Sequence, residues 1–217
     1  MFINEIFMSF SGEGKSTGEL ATFVRTAGCN FLEEFNSPCR YPCDTKYALK
    51  TSDGKDMDID EIIREVRKYP TNFTILTGGE PLYSSEAKEL LSRLYVYGFR
   101  TETITNGSLP IWPGHKGVWS VDIKCLSSGN SKYNLYSNLK LLRERDQIKF
   151  VVSDRADFDF ALKVVHDYPC RAIKLFQPAW DKIDPKELVE WMKKDAIWGR
   201  LSMQVQKYVY GPMIRGV

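Results

Sequence analysis

Three cysteines, Cys29, Cys39 and Cys43, stand within fifteen consecutive residues of a 217-residue chain that holds five cysteines in all. An odd number of thiols, with no secretory leader ahead of them, argues against a disulfide framework and raises the question of a metal. A closed zinc site takes four ligands, usually with close C-x2-C pairs. Here the spacing is C-x9-C-x3-C and no histidine lies within seventy residues, so structural zinc is a weak reading. Three thiolates on a cubane iron-sulfur cluster would leave one iron open, and an open iron is where a small chelating cofactor can bind. Ordinary buried thiols are the remaining reading.

A second stretch, "SGEGKSTG" from Ser11 to Gly18, ends like a phosphate-binding loop at Gly14-Lys15-Ser16. Such a loop needs a glycine five positions before Gly14, where Ser9 stands, and a helix opening near Lys15. The flanks "INEIFMSF" and "ATFVRTAG" read instead as two strands joined by a Gly/Ser turn. The readings left open are a nucleotide-binding loop, a hairpin turn with a solvated Lys15, and a ligand loop of another kind.

Thirty basic and 28 acidic residues nearly cancel, and no long basic run stands out. A nucleic-acid or membrane surface is therefore not expected, and a small-molecule partner is. The start "MFINEIFMSF" lacks the basic head and long apolar run of a signal peptide, and no stretch reaches the ~20 apolar residues of a membrane span. The expectation is a cytoplasmic chain folded as one domain over residues 1–217.

Chemistry at such sites needs elements to position it. Strands are expected at "ATFVRTAG", "FTILTGG", "RTETITNG", "VWSVDIK", "QIKFVVSD", "AIKLFQP" and "LSMQVQKYV". Helices are expected at "DIDEIIREV", with Asp58 as N-cap and Glu61 three residues on, and at "SSEAKELLSRLYVYG", "YNLYSNLKLLRER", "ADFDFALKVVHDY" and "DPKELVEWMKKD". This alternation gives parallel strands joined by right-handed crossovers. No G-x-G-x-x-G follows the first strand, and the chain is shorter than the ~250 residues of a complete eightfold barrel. The fold class is therefore α/β, an incomplete (β/α)6-type TIM-like barrel with parallel strands. The link "SLPIWPGHKG" is too short and proline-rich for a good helix, so that crossover is eroded.

In such barrels chemistry collects on the loops after the strands' C-terminal ends. The unusual residues fall there: the three cysteines after the first strand, Gly78-Gly79-Glu80-Pro81 after the second, and Asn106-Gly107-Ser108 after the third. "KCLSSG" follows the fourth, Gln177-Pro178 the sixth, and Gln206-Lys207 the seventh.

Cys29, Cys39 and Cys43 followed by Asp44-Thr45, with "TGGEP" after the next strand, resemble the radical S-adenosylmethionine superfamily. More narrowly, "SGEG", "FVRTAGCN", "CDT", "LTGGEP", "TNGS", "DIKCLSSG", "KFVV" and "MQVQK", in that order from about residue 5 to the end, resemble the 7-carboxy-7-deazaguanine synthase family.

The resemblance implies that Cys29, Cys39 and Cys43 hold a 4Fe-4S cluster, whose open iron is chelated by S-adenosylmethionine. One electron would then cleave the cofactor to a radical that takes a hydrogen atom from C6 of 6-carboxy-5,6,7,8-tetrahydropterin. The ring contracts with loss of ammonia to 7-carboxy-7-deazaguanine, a precursor of queuosine-type 7-deazapurines. The cofactor carries the hard chemistry and the protein supplies position and electrostatics, so no side chain is named as catalytic. Residues implied for the cofactor are Tyr41, Pro42, Asp44, Gly79, Asp122, Lys124, Gln177 and Pro178. Thr45 would offer its hydroxyl to Mg2+, a hard cation that seeks oxygen. Ser11, Gly12, Glu13, Arg25, Thr77 and Gln206 would hold the pterin, with the planar fork of Arg25 on its carboxylate and Lys15 left in solvent. The family also implies a homodimer and an electron donor such as flavodoxin or ferredoxin.

Three departures from the family pattern bear on the site. Its common cysteine spacing is C-x3-C-x2-C, sometimes with a longer first gap, whereas here the second gap is longer too. Ser11 stands for a usual glutamine, and Gln206 for a histidine common in the last strand's motif. Cys125 is expected as a buried thiol, Cys170 in the core, and His115 and His166 at the surface. Three rivals stay open: a glycyl-radical-activating enzyme of the same superfamily, a zinc-stabilised binding module, and a phosphate-loop NTPase.

Overall fold

The strands and helices below come from a computed structural model that describes residues 1–40, 43–212 and 214–216. Strand β1 (Phe2–Phe10) turns through residues 11–19 into β2 (Leu20–Thr26), with which it pairs antiparallel. The short β3 (Lys55–Asp56) adds antiparallel to β1. From β2 onward all pairing is parallel, through β4 (Phe73–Gly78), β5 (Arg100–Thr105), β6 (Val118–Ile123), β7 (Gln147–Val152), β8 (Ile173–Pro178) and β9 (Arg200–Leu201). The order β3-β1-β2-β4-β5-β6-β7-β8-β9 leaves β3 and β9 as edges, so the sheet curls without closing, an incomplete barrel of α/β type.

Period-two alternation assigns the two faces. On β7, Ile148, Phe150 and Val152 are fully buried in the apolar layer with Phe158 and Leu188, whereas Gln147 and Lys149 point to the opposite, polar face. The helices cover the outer face. Helix α2 (Ile59–Val66) starts with the expected reciprocal cap, in which Glu61 N donates to Asp58 Oδ1 at 2.8 Å and Asp58 N to Glu61 Oε2 at 3.0 Å. Its Ile59, Ile62, Ile63 and Val66 are buried against Val24, Leu76 and the leucines of α3 (Ala87–Val96). Each such aliphatic side chain contributes roughly 1.5–3 kcal/mol on leaving water. Helices α4 (Arg155–Asp167) and α5 (Pro185–Lys194) open on capping aspartates, Asp154 and Asp184. The connection from β5 to β6 carries no helix among residues 106–117, as the proline-rich link suggested. No helix among the described residues is long and apolar enough to cross a membrane.

Three expectations are corrected. The helix expected over "YNLYSNLKLLRER" is replaced by 3-10 turns at Ser131–Tyr133 and Tyr136–Leu141. Two asparagine side chains draw the backbone away from a helix there: Asn134 bonds both N and O of Lys124, and the buried Asn138 bonds Ile111 N and Leu109 O. The strand expected over "LSMQVQKYV" survives only as Arg200–Leu201, and the rest forms a short helix, α6 (Val205–Val209). Its first amide donates to Gly12 O at 2.8 Å rather than to a neighbouring strand. His115 is buried, not superficial, wedged against Trp119 and Trp112, and burial lowers its pKa to about 4. His166 is on the surface as expected, and Cys125 is buried, while Cys170 is half-buried at the margin of the core.

Candidate active site

Parallel pairing brings the C-terminal ends of β2 and β4 to β8 to one rim, and the loops there are joined by specific bonds. The Gly78-Gly79 turn lies flat on the end of β2: Gly79 N donates to Thr26 O and Glu80 N to Gly28 O. A Cβ on Gly79 would sit 2.3 Å from Gly28 O and 2.6 Å from Ala48 O, so only glycine allows this approach. Glu80 turns inward and is almost fully buried, accepting from Leu82 N, Thr105 Oγ1 and Asn106 N. Burial raises its pKa to about 7 against those donors, and the carboxyl ties the second rim loop to the third.

The cysteines lie beside this junction, and all three thiols are free. Cys29 is buried at the start of the short helix α1 (Asn30–Glu33), and burial pushes its thiol up to about 11. Asn106 Nδ2 approaches Cys29 Sγ at 3.9 Å, and Asn130 Nδ2 approaches Cys39 Sγ at 3.5 Å. Cys43 Sγ lies 3.5 Å from Thr45 Oγ1, which also reaches Gly78 O at 3.4 Å. Lys124 supplies the cation. Burial opposes its charge, but Asp122 and the thiols of Cys39 and Cys43 hold its pKa well above the ordinary value. Thiols set among amide N–H donors and an ammonium form a donor set that fits an anionic iron-sulfur cluster. Among the described residues no three His, Cys, Asp or Glu side chains converge as ligands of a single ion.

The polar face inside the sheet carries a chain of alternating charges. Lys124 Nζ bonds Asp122 Oδ2 at 2.8 Å, Lys149 Nζ lies 3.4 Å from Asp122 Oδ1, and the same amine bonds Glu13 Oε2 at 2.8 Å. Burial alone would raise the Asp122 pKa, yet the two lysines hold it below the usual carboxylate value. This chain joins the Ser11–Gly18 turn to the rim. Below it, Glu102 is buried and accepts from Ser16 Oγ at 2.9 Å and Gln147 Nε2 at 2.8 Å, while Gln147 Oε1 accepts from Lys15 N at 2.9 Å. The donors a phosphate would need from "GKS" thus point at a carboxylate and an amide, and no helix begins at Lys15. Lys15 is exposed as expected, with its amine on Arg145 O.

Arg25 and Thr77 are register partners on β2 and β4. Arg25 Nε bonds Glu5 Oε1 at 2.6 Å, and its guanidinium lies over the rings of Phe7 and Tyr47. Ser11 is buried, with its hydroxyl on Glu13 O. Gln206 leans on Gly12 so closely that a Cβ there would be 1.9 Å from Gln206 Oε1, an atom buried without a partner. Asp44 is held by Gln204 Nε2 at 2.8 Å and Lys207 Nζ at 2.6 Å, both from the α6 region. Gln177 is buried with Ser202 Oγ 3.5 Å from its Oε1, and Pro178 lines a cavity of about 150 Å3 with Trp180, Gln204 and Tyr208. Tyr41 and Pro42 lie outside the described residues.

Several residues of this constellation were not singled out from the sequence. Lys149 stood within "KFVV", whose alternation marks it as facing away from Ile148 and Phe150; a lysine on the inner face of a buried strand was the signal. Asn130 carried no signal beyond its place on a rim loop, and Glu102 none beyond a charge inside a strand.

The model of the Radical SAM superfamily matches residues 23–113. A protein named 7-carboxy-7-deazaguanine synthase from Koribacter versatilis is 34% identical over 235 residues, covering 100% of both chains. One of the same name from Chlorobaculum tepidum is 36% identical over 221 residues, covering 99% of this chain and 96% of its own. In three dimensions the crystal structure of QueE from Escherichia coli superposes with a TM-score of 0.74 at 22% identity, over 94% of this chain and 93% of that one, a likeness of fold. With relatives above 30% identity along the whole chain, the protein belongs to the 7-carboxy-7-deazaguanine synthase family of radical S-adenosylmethionine enzymes.

Proposed function

We propose that residues 1–217 form one radical S-adenosylmethionine domain that converts 6-carboxy-5,6,7,8-tetrahydropterin to 7-carboxy-7-deazaguanine with loss of ammonia, in 7-deazapurine biosynthesis. The observation that carries this reading is the charge chain Glu13–Lys149–Asp122–Lys124, which sets the Ser11–Gly14 loop and the cysteine rim around one interior. When bound, the cluster on Cys29, Cys39 and Cys43 and its S-adenosylmethionine supply the radical chemistry.

The chain's own residues bind and orient. Gly79 leaves its backbone open to the cofactor's amino end, and Asp122, Lys124, Gln177 and Pro178 complete that pocket with Asp44, Tyr41 and Pro42. Asp122 Oδ1 lacks a hydrogen bond of good geometry and offers an acceptor to a ligand hydroxyl. Ser11, Gly12 and Glu13 hold the pterin edge, whose amidine-like face suits a carboxylate. Glu13 keeps one oxygen on Lys149, which leaves the other for substrate. Arg25 uses Nε on Glu5 and has its terminal nitrogens for the substrate carboxylate. Thr77, its register partner, adds a contact, and the unpartnered Gln206 Oε1 accepts from the ligand in place of the family's histidine. Thr45 Oγ1, close to the Gly78 carbonyl, offers oxygen to Mg2+ shared with the substrate. A flavodoxin or ferredoxin delivers the electron, and the chain works as a cytoplasmic homodimer.

Anaerobic incubation of iron-reconstituted protein with reductant, S-adenosylmethionine, Mg2+ and 6-carboxytetrahydropterin tests the proposal by mass spectrometry. The expected products are 5'-deoxyadenosine and 7-carboxy-7-deazaguanine together, at a rate that falls when Mg2+ is withheld. Cofactor cleavage without a deazaguanine would refute the substrate assignment.

A further inference from the structure

The nine residues between Cys29 and Cys39 make a first gap longer than the family's common three, and the structure gives that loop an anchor. The loop leaves α1, reverses at Asn36 with φ +45°, and closes on itself through Ser37 N to Phe31 O at 2.6 Å. It then docks on the turn after β6. Arg40 N donates to Ser128 O at 2.9 Å, and Phe35 stacks on Tyr133 with ring centroids 4.3 Å apart and planes 12° apart. Gly129, at φ +77°, passes under Arg40, whose Nε would be 2.7 Å from any Cβ placed there.

Asn130 is the centre of the contact and is fully buried. Ser37 Oγ donates to its Oδ1 at 2.7 Å, its Nδ2 donates to Ser37 O at 2.9 Å, and the same nitrogen lies 3.5 Å from Cys39 Sγ. The amide orientation is fixed by chemistry, since a backbone carbonyl only accepts and the nitrogen must therefore face Ser37 O. With one N–H on that carbonyl, the second is directed at the sulfur. A donor to a ligating thiolate stabilises the more electron-rich state of an iron-sulfur cluster.

We propose that Asn130 is a positioning residue for the cluster, clamping the long cysteine loop through Ser37 and donating an N–H to Cys39 that raises the cluster's reduction potential. This rests on the reading of Cys39 as a cluster ligand. The mechanism gives the long first gap an anchor: a longer loop between the first two ligands costs more entropy to hold, and a buried side chain with bonds at two points along it fixes its end.

The test is a potentiometric titration of the reconstituted enzyme read by electron paramagnetic resonance, with iron per chain and loss of iron to a chelator measured alongside. Asn130→Asp removes both N–H donors and sets a negative charge beside the thiolate. It is expected to disfavour the reduced cluster at least tenfold, a shift of about 59 mV to lower potential for one electron. Asn130→Leu, of similar size and uncharged, should disfavour the reduced cluster at least threefold, about 28 mV, and serves where the aspartate variant does not load. Ser37→Ala keeps the amide donor but removes one anchor, so iron should leave three- to tenfold faster with the reduction equilibrium within twofold of wild type, about 18 mV. Potentials unchanged in the Asn130 variants would overturn the proposal, since a purely structural asparagine would alter iron loss alone. A wild-type protein that forms no cubane cluster would instead overturn the functional reading on which it rests.

Discussion

Glu102 offers a prediction with a sign that differs from most carboxylates. It lies on the inner face of β5, 2% exposed, with Ser16 Oγ and Gln147 Nε2 as its donors. Burial dominates those donors and raises its pKa to about 7 from an ordinary 4.5. Below pH 4.5 the group is protonated in folded and unfolded chains alike and its contribution is fully present. Between 4.5 and 7 the unfolded chain releases the proton while the folded chain keeps it, so stability falls; above 7 the loss levels off. At 1.36 kcal/mol per pH unit the loss across that window is about 3 kcal/mol. Glu102→Gln removes the ionisation while keeping the shape, and the Ser16 hydroxyl can turn from donor to acceptor to meet the new amide. The variant should therefore gain on wild type as pH rises, by about 2–3 kcal/mol between pH 4.5 and 8. Urea unfolding of both proteins at the two pH values, with cluster content matched, measures that difference. A stability difference independent of pH would refute the reasoning, because it would mean that Glu102 ionises in the folded chain as freely as in the unfolded one.

Other predictions concern the site. Lys149→Met removes a charge-assisted bond to Glu13, worth about 1.5–3 kcal/mol, so the pterin KM should rise roughly 10- to 100-fold. Lys149→Arg should recover part of it, and an unchanged KM in Lys149→Met would separate Glu13 from substrate binding. Arg25→Ala should lower kcat/KM for the pterin by roughly 30-fold or more while cofactor cleavage without substrate persists; equal loss of both activities would contradict its assignment to the substrate carboxylate. Gly12→Ala forces a methyl into Gln206, an overpacking cost of about 1–3 kcal/mol, and should weaken pterin binding without loss of iron. Adding Gln206→Ala should restore part of the binding, and no recovery in the double variant would place the clash elsewhere.

What could be read in the sequence was what is written locally. Helix α2 announced itself through Asp58, Glu61 and a run of isoleucines, and the rim loops through glycine pairs and cysteines that follow β-branched runs. The site depends on pairings between distant parts of the chain, and these left no local trace. Lys149 meets Glu13 across 136 positions, and Asn130 meets Cys39 across 91. The same reason explains the last strand. "LSMQVQKYV" has strand-like composition, but Val205 N bonds Gly12 O, and Gln204 and Lys207 turn to Asp44, so tertiary contacts make α6 where local propensity pointed to β. Asn134 and Asn138 likewise broke a helical pattern by bonding backbone on loops that only the fold brings near.

Tetrahydropterin substrate deuterated at C6 shows whether this interior delivers radical chemistry to that carbon. The expected product is 5'-deoxyadenosine one mass unit heavier, formed together with 7-carboxy-7-deazaguanine. Unlabelled 5'-deoxyadenosine with no deazaguanine would contradict that chemistry.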